Sequence, residues 1–180
     1  HGNRHGYTWY RKELVMDSRF AGKRIFLGFE GAGSYATVWV NGNKAGYHAG
    51  GRTSFVIDIS EHAHPGESNL IAIRTDHPAY IRDLPWVCGG CSDEWGFSEG
   101  SQPMGIFRPV HLVITNEIRI EPFGVHIWND TSVTDRSAMV NINVEIKNYG
   151  SHSGEISLLN RLMNEQGMMV AGNMQETQIA

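Results

Sequence analysis

The residues best suited to chemistry lie in one long segment, residues 77–104, between two stretches that alternate like β-strands. The segment combines indole rings with carboxylates, at Trp86, Trp95, Asp93, Glu94 and Glu99. This combination suits a sugar, because a pyranose presents an apolar C–H face to an indole and hydroxyls that donate to carboxylates. The segment has 28 residues, whereas structureless loops longer than about 12–15 residues are uncommon and are usually functional or disordered. The tryptophans could equally pack this segment onto the fold while the acids remain solvated, and both interpretations stay open.

The only two cysteines form the motif Cys88-Gly89-Gly90-Cys91. Such a pair can be a redox couple, half of a zinc site or a small disulfide. No helical pattern or βαβ unit surrounds it, and no second pair of ligands follows, although His77 is near in sequence. We therefore favour two thiols in a glycine-rich loop or a local disulfide, and we expect no metal and no cofactor. A disulfide would be compatible with a periplasmic or extracellular location but does not require one, so the compartment stays open.

The sequence predicts that the elements that position this segment are all β-strands. Apolar residues alternate with polar ones or glycine around Ile25, Leu27 and Phe29, and again in residues 55–59 and 69–76. Alternation with a period of two predicts strands half buried against a core. Asn41-Gly42 predicts a tight hairpin turn, since both residues tolerate positive φ. No stretch has a sustained helical period, so the sequence predicts an all-β sandwich or jelly roll.

Composition and charge argue against two kinds of partner, nucleic acid and the membrane interior. The 180 residues carry a net charge of -4, and their lysines and arginines are scattered rather than clustered. This pattern argues against nucleic acid as a partner. No apolar run approaches the ~20 residues that a membrane span requires. The chain also lacks an initiator methionine and a signal peptide, so we interpret it as a mature or excised piece.

Five short motifs occur in a fixed order along the chain. They are Tyr10-Arg11-Lys12, Phe29-Glu30-Gly31, Val38-Trp39-Val40-Asn41-Gly42 with Gly46 behind it, Phe55-Val56-Ile57-Asp58, and Gly105-Ile106-Phe107-Arg108-Pro109-Val110-His111-Leu112. In this order and spacing they resemble the N-terminal sugar-binding jelly-roll domain of glycoside hydrolase family 2, the β-galactosidase and β-glucuronidase group. The resemblance implies a jelly-roll, galactose-binding-like domain over residues 1–116.

A second pattern begins near Glu117 and has its clearest alternation at Val140, Ile142, Val144 and Ile146. The resemblance implies that residues 117–180 are the start of the immunoglobulin-like sandwich that follows the jelly roll in this family. Such a sandwich needs about 100 residues, so we expect a truncated one. Its uncovered sheet face and open edges predict either disorder beyond about Gly150 or a contact with another chain, including a homo-oligomer.

The resemblance also implies which residues would contact the substrate. In some relatives an acidic residue six positions before the motif glycine touches substrate and a bound cation, and that position here is Glu99. Asp93 and Glu94 are the candidates for this acidic position if the register is shifted. Trp86 and Trp95 are candidates for stacking on the sugar. The match to those relatives is incomplete, because glutamate replaces the usual aspartate and the segment that supplies another contact would lie before His1.

Other motif positions are expected to be structural. Arg11 and Arg108 are interpreted as arginines that lock loops through bidentate bonds, with Glu30 as the expected partner of Arg108. His48 could face a substrate, but stabilisation of a turn is the favoured role. Asn41, Gly42 and Gly105 complete the structural set.

Catalysis is not expected from this chain. Retaining glycosidases need two carboxylates about 5–5.5 Å apart, and the family places both on a (β/α)₈ barrel of roughly 250 residues. The neighbours Asp93 and Glu94 diverge in an extended loop and form a poor pair. We therefore predict a non-catalytic, sugar-binding portion that shapes the pocket of a barrel elsewhere in the polypeptide. The alternatives are a free-standing carbohydrate-binding module and, with less support, a metal or redox protein acting through Cys88 and Cys91.

Overall fold

The computed structural model describes residues 5–51, 53–78 and 104–180, and this part of the chain is almost entirely β-structure with one short 3₁₀ helix, Ser18–Phe20. The predicted all-β class is therefore confirmed. The chain divides into two compact units, His1–Thr115 and Asn116–Ala180. No helix in the described part is long and apolar enough to cross a membrane.

Within the described residues, the first unit contains nine strands. They are β1 Gly6–Val15, β2 Arg24–Phe29, β3 Ala32–Gly33, β4 Tyr35–Val40, β5 Asn43–Ala49, β6 Phe55–Asp58, β7 Ser68–His77, β8 Gly105–Ile106 and β9 Val110–Thr115.

These strands form two antiparallel sheets that enclose one core, and a short pair beside them. The four-stranded sheet has the order β1-β7-β4-β5, the three-stranded sheet has the order β6-β2-β9, and β3 pairs with β8. Strands distant in sequence are therefore neighbours, as when β1 pairs with β7 along their whole lengths, from Gly6 opposite His77 to Val15 opposite Ser68. This non-local order is typical of a β-sandwich rather than a meander.

The core consists of the residues that alternation predicts. Ile25, Leu27 and Phe29 of β2 are each less than 5% exposed, and the rings of Phe29 and Phe55 stack with centroids 4.5 Å apart. The other sheet contributes apolar side chains from its two central strands, Ala36, Val38, Val40, Ile71 and Ile73. Burial of each large side chain of this kind stabilises the fold by about 1.5–3 kcal/mol.

The predicted hairpin turn lies between β4 and β5. Asn41 and Gly42 both have positive φ, at 51° and 84°. The amide of Asn41 also ties this turn to the next one, since its Nδ2 donates to the His62 carbonyl and to Asn69 Oδ1, both at 2.9 Å. Its Oδ1 accepts from the Leu70 N–H at 2.9 Å. Asn41 is therefore both a turn residue and a side-chain link between two turns.

The second unit contains four longer strands, β10 Ile118–Asn129, β11 Val140–Asn148, β12 Gly154–Met163 and β13 Met169–Ile179. They form two antiparallel pairs, β10 with β11 and β12 with β13. Val144 and Ile142 face the same side as Val125 and Ile127 across the ladder, as the alternation predicts. Beyond Gly150 the chain continues as regular strands rather than as disordered chain, and the alternative expectation, a contact with another chain, stays a prediction.

Large apolar side chains of this unit remain exposed, because two-stranded pairs cannot enclose a core. Ile127 is 63% exposed and Trp128 is 51% exposed.

Candidate functional site

The two ends of the segment that was predicted to recognise sugar are held together by one dipeptide, Gly33-Ser34. Gly33 of β3 pairs with Gly105 of β8, where the chain returns from the segment. Ser34 holds the end where the chain departs, since its N–H donates to the Asp76 carbonyl at 2.9 Å. The sandwich therefore presents both ends of the segment at one end of its sheets, which we call the loop end.

A buried hydroxyl–imidazole pair strengthens this anchorage. Ser34 Oγ lies 2.7 Å from His77 Nδ1, and both residues are 1% exposed. Burial lowers the pKa of His77, and the neighbouring His5, whose ring stacks on it at 5.4 Å, lowers the pKa further. Both effects disfavour the charged imidazole, so the neutral ring can fix the end of β7 without an uncompensated charge in the core.

Tyr10 fastens the returning chain from the opposite side. Its phenolic oxygen accepts a hydrogen bond of 3.2 Å from the Ile106 N–H. Gly105 adopts φ +86°, and a Cβ built on it would lie 2.3 Å from that same oxygen. The first and last sequence motifs therefore meet in space, and only glycine fits at their junction.

His48 braces the neighbouring turn. Its Nε2 lies 3.1 Å from the Gly50 carbonyl and 3.2 Å from Thr53 Oγ1, and its ring stacks on Phe55 at 3.9 Å. Burial lowers the pKa of His48, although the bond to the Gly50 carbonyl opposes the shift. Gly50 in turn donates its N–H to the Ser34 carbonyl at 2.9 Å, so the turn that His48 stabilises belongs to the same loop end.

The motif residues Glu30 and Arg108 lie near each other but do not form the expected pair. Glu30 Oε1 accepts a bond of 2.7 Å from His111 Nε2, which lies 81 positions later in the sequence, on the strand β9 that pairs with β2. The guanidinium of Arg108 instead lies 5.8 Å from the ring centroid of Phe107. The expectation that Glu30 is the partner of Arg108 is therefore wrong, because register places His111 beside Gly28 and within reach of Glu30.

Arg11 also differs from its expected role. Its guanidinium lies 5.7 Å from the ring centroid of Trp9, on the exposed side of β1, and locks no loop within the described residues. Period-two geometry explains this position, because residues 9 and 11 of a strand share one face.

The five side chains predicted to meet substrate, Trp86, Trp95, Asp93, Glu94 and Glu99, lie outside the described residues, as do Cys88 and Cys91. Within the described ranges no group of three or more histidine, cysteine or carboxylate side chains could hold a metal ion. Sequence reasoning missed Ser34, His77 and Tyr10. His77 had a usable signal, since it continues the inward alternation of Ile71, Ile73 and Thr75.

Comparison with known proteins agrees with this architecture. The chain is 34% identical over 163 residues to a β-galactosidase of Thermoanaerobacter pseudethanolicus, a match that covers 90% of this chain and 20% of that protein. It is 26% identical over 175 residues to a β-glucuronidase of Formosa agariphila, covering 92% of this chain and 17% of that protein. The structure of a glycosyl hydrolase family 2 member from Bacteroides cellulosilyticus matches with a TM-score of 0.75 and 28% identity, over 97% of this chain and 22% of that one.

The chain thus spans about a fifth of the length of the two curated relatives. The family model described as "Glycosyl hydrolases family 2, sugar binding domain" matches residues 2–116. This range includes all nine strands of the first unit and the loop end that they build. The family model match and the β-sandwich that the motifs predicted therefore agree. The chain belongs to the sugar binding domain family of the family 2 glycosyl hydrolases.

Proposed function

We propose that this chain is the non-catalytic N-terminal portion of a family 2 glycoside hydrolase that acts on a β-galactoside or a β-glucuronide. In this proposal residues 1–116 are a sugar-binding jelly roll and residues 117–180 are part of an immunoglobulin-like sandwich. A catalytic barrel in the same polypeptide supplies the acid/base and nucleophilic carboxylates. The partners are carbohydrate and that barrel, and a homo-oligomer is compatible with the exposed apolar side chains of the second unit.

The observation that carries the proposal is the anchorage of segment 77–104 at the loop end. Gly33 pairs with Gly105 at one end of the segment and Ser34 bonds to His77 at the other, so the sandwich fixes both points where the segment begins and ends. Sites are often built in this way, with binding residues on loops that a scaffold positions. We infer that Glu99, or Asp93 and Glu94, contacts a sugar hydroxyl, and that Trp86 and Trp95 stack on a pyranose.

His48 enters the proposal in a supporting role. Its ring nitrogen is engaged with Gly50 and Thr53, which favours stabilisation of the loop end over direct substrate contact. Glu30, Asn41, Gly42, Gly105 and Arg108 are assigned to the scaffold.

A chimaera tests the proposal. The segment of the Thermoanaerobacter β-galactosidase that matches this chain is replaced by residues 1–180, and hydrolysis of a nitrophenyl β-galactoside is measured. We expect a folded chimaera that hydrolyses the substrate, and we expect Glu99→Gln to raise KM or lower kcat/KM. Glu61→Gln, an exposed acid of the scaffold, is the matched control. A folded but inactive chimaera, or equal effects of the two substitutions, would contradict the proposal.

The 180-residue chain alone provides the complementary test. It should not hydrolyse galactosides or glucuronides, and calorimetry with galactose and glucuronate should show weak binding or none. A dissociation constant below about 100 µM, or about -5.5 kcal/mol, would favour a free-standing binding module instead.

A further inference from the structure

The outer face of the four-stranded sheet carries exposed or half-exposed aromatic rings that lie outside the core. They are Tyr7 and Trp9 of β1, Trp39 of β4 and Tyr47 of β5, and we call them the aromatic face. Tyr7 is 64%, Trp9 43% and Tyr47 52% exposed. On β4, Trp39 alternates with the buried residues Val38 and Val40, which places its ring on the side away from the core.

The two indoles form the centre of the aromatic face. Their ring centroids are 5.2 Å apart and the planes are tilted by 36°. The strands that carry them are separated by β7, whose Ala72 lies opposite Trp39 on one side and Arg11 on the other. Because Ala72 is small, the rings of Trp9 and Trp39 can meet above it and form a continuous apolar platform.

Two cations flank this platform in a single row across the sheet. The row runs Arg11, Ala72, Trp39, Lys44. Arg11 lies 5.7 Å from the Trp9 centroid, and Lys44 Nζ lies 6.0 Å from the Tyr47 centroid. Neither cation forms an ion pair with a carboxylate of the described residues, whereas the nearby Arg74 is paired with Asp76 at 2.6 Å. Two cations without partner carboxylates therefore stand at opposite ends of a row with an indole between them.

We propose that the aromatic face binds an anionic polysaccharide composed of uronate residues. The apolar C–H face of each pyranose stacks on the indoles, and the carboxylates pair with Arg11 and Lys44. Four strands span about 14 Å from β1 to β5, wide enough for more than one sugar residue. This surface goes beyond the proposed function, because none of its residues belongs to segment 77–104 or to a catalytic barrel.

The combination of an apolar ring platform with few cations favours a polyuronate over nucleic acid, the other polyanion that stacks on aromatic rings. Affinity for nucleic acid comes largely from many phosphate contacts, and the chain offers two such cations here against a net charge of -4. Each uronate ring carries one carboxylate beside an apolar C–H face, which matches an indole platform with a cation at either end.

Calorimetry on the 180-residue chain tests the proposal with four probes: polygalacturonate, alginate, the neutral glucan dextran, and single-stranded DNA. We expect binding to the two polyuronates that weakens as salt rises, and little binding to dextran or DNA. Stronger binding to DNA than to either polyuronate would overturn the assignment. Equal binding to dextran would overturn the role of the cations, and absence of binding to both polyuronates would overturn the proposal as a whole.

Substitutions on the aromatic face test whether this surface is the binding site. The double substitution Arg11→Met with Lys44→Met keeps the aliphatic stems and removes both charges, so we expect about a tenfold weaker affinity for polyuronate. Trp9→Ala should weaken binding by a similar factor. Trp128→Ala removes a comparably exposed indole from the second unit and is the matched control. Thermal unfolding confirms that each variant is folded, and unchanged affinity in folded double and Trp9 variants would contradict the proposal. Because the readout is binding rather than hydrolysis, this result is independent of the chimaera.

Discussion

The phenolic oxygen of Tyr10 occupies the space that a side chain on Gly105 would need. The two residues are 95 positions apart in the sequence, yet a Cβ on Gly105 would lie 2.3 Å from this oxygen. The same oxygen accepts a hydrogen bond from the next residue, Ile106. Tyr10, on an edge strand, therefore helps to fix the position at which the chain returns to the sandwich. It also requires that the residue at this position be glycine.

Gly105→Ala is expected to destabilise the first unit by about 2–5 kcal/mol. A positive φ costs a non-glycine residue roughly 1–2 kcal/mol, and the clash with Tyr10 adds about 1–3 kcal/mol. Urea denaturation, with hydrogen exchange in peptides from β1 and β8 as the probe, measures the loss. Gly28→Ala is the matched control, because a Cβ there meets Val113 at an ordinary 3.6 Å. Adding Tyr10→Phe should restore part of the loss in Gly105→Ala, and no recovery would show that the clash is not the cause.

Acidification is expected to destabilise the first unit through His77 and His48. Burial lowers the pKa of both imidazoles in the folded state. The unfolded chain therefore binds more protons once the pH falls below the ordinary histidine value of about 6.5, and the free energy of unfolding falls from there toward the folded-state values.

The slope of unfolding free energy against pH between about 7 and 5 measures this effect. His77→Gln should flatten the slope relative to wild type. Equal slopes in wild type and His77→Gln would contradict the assignment of the buried pair.

Asn41→Gly is expected to destabilise the first unit by about 1–3 kcal/mol. Glycine keeps the positive φ of the turn, so the substitution removes the side-chain bonds to His62, Asn69 and Leu70 without adding strain. Asn43→Ser, two residues away, is the control, since its side chain makes one long contact of 3.4 Å. The midpoint of urea denaturation compares the two, and equal shifts would mean that the link between the turns adds nothing.

Asp58 is expected to stabilise the fold at neutral pH and to lose this contribution in acid. Burial raises the pKa of Asp58, but hydrogen bonds from Ser60 and the Arg24 guanidinium outweigh burial and hold the pKa below its ordinary value. A lowered folded-state pKa contributes stability above the unfolded value of about 3.9 that is lost as the pH falls through the folded-state value. Asp58→Asn should therefore be less stable than wild type at pH 7, with a difference that shrinks below about pH 4. A difference that stays constant with pH would contradict this account.

Much of the scaffold follows from local signals in the sequence. The alternation around Ile25, Leu27 and Phe29 predicted a buried strand, and Asn41-Gly42 predicted the hairpin turn. Both signals act over a few residues, because strand periodicity and tolerance of positive φ belong to the local chain. The order and spacing of the five motifs also sufficed to identify the family.

The tertiary structure decided what those local signals could not. Strand order brought Tyr10 into contact with Gly105 and Ser34 into contact with His77. It made His111, rather than Arg108, the partner of Glu30. It also aligned Arg11, Trp39 and Lys44 in one row across the sheet. Each relationship depends on which strands become neighbours and in which register, and a one-residue slip would turn every side chain to the opposite face. Alternation along a single strand distinguishes its two faces, but only the assembled sheets decide which residues of other strands share each face.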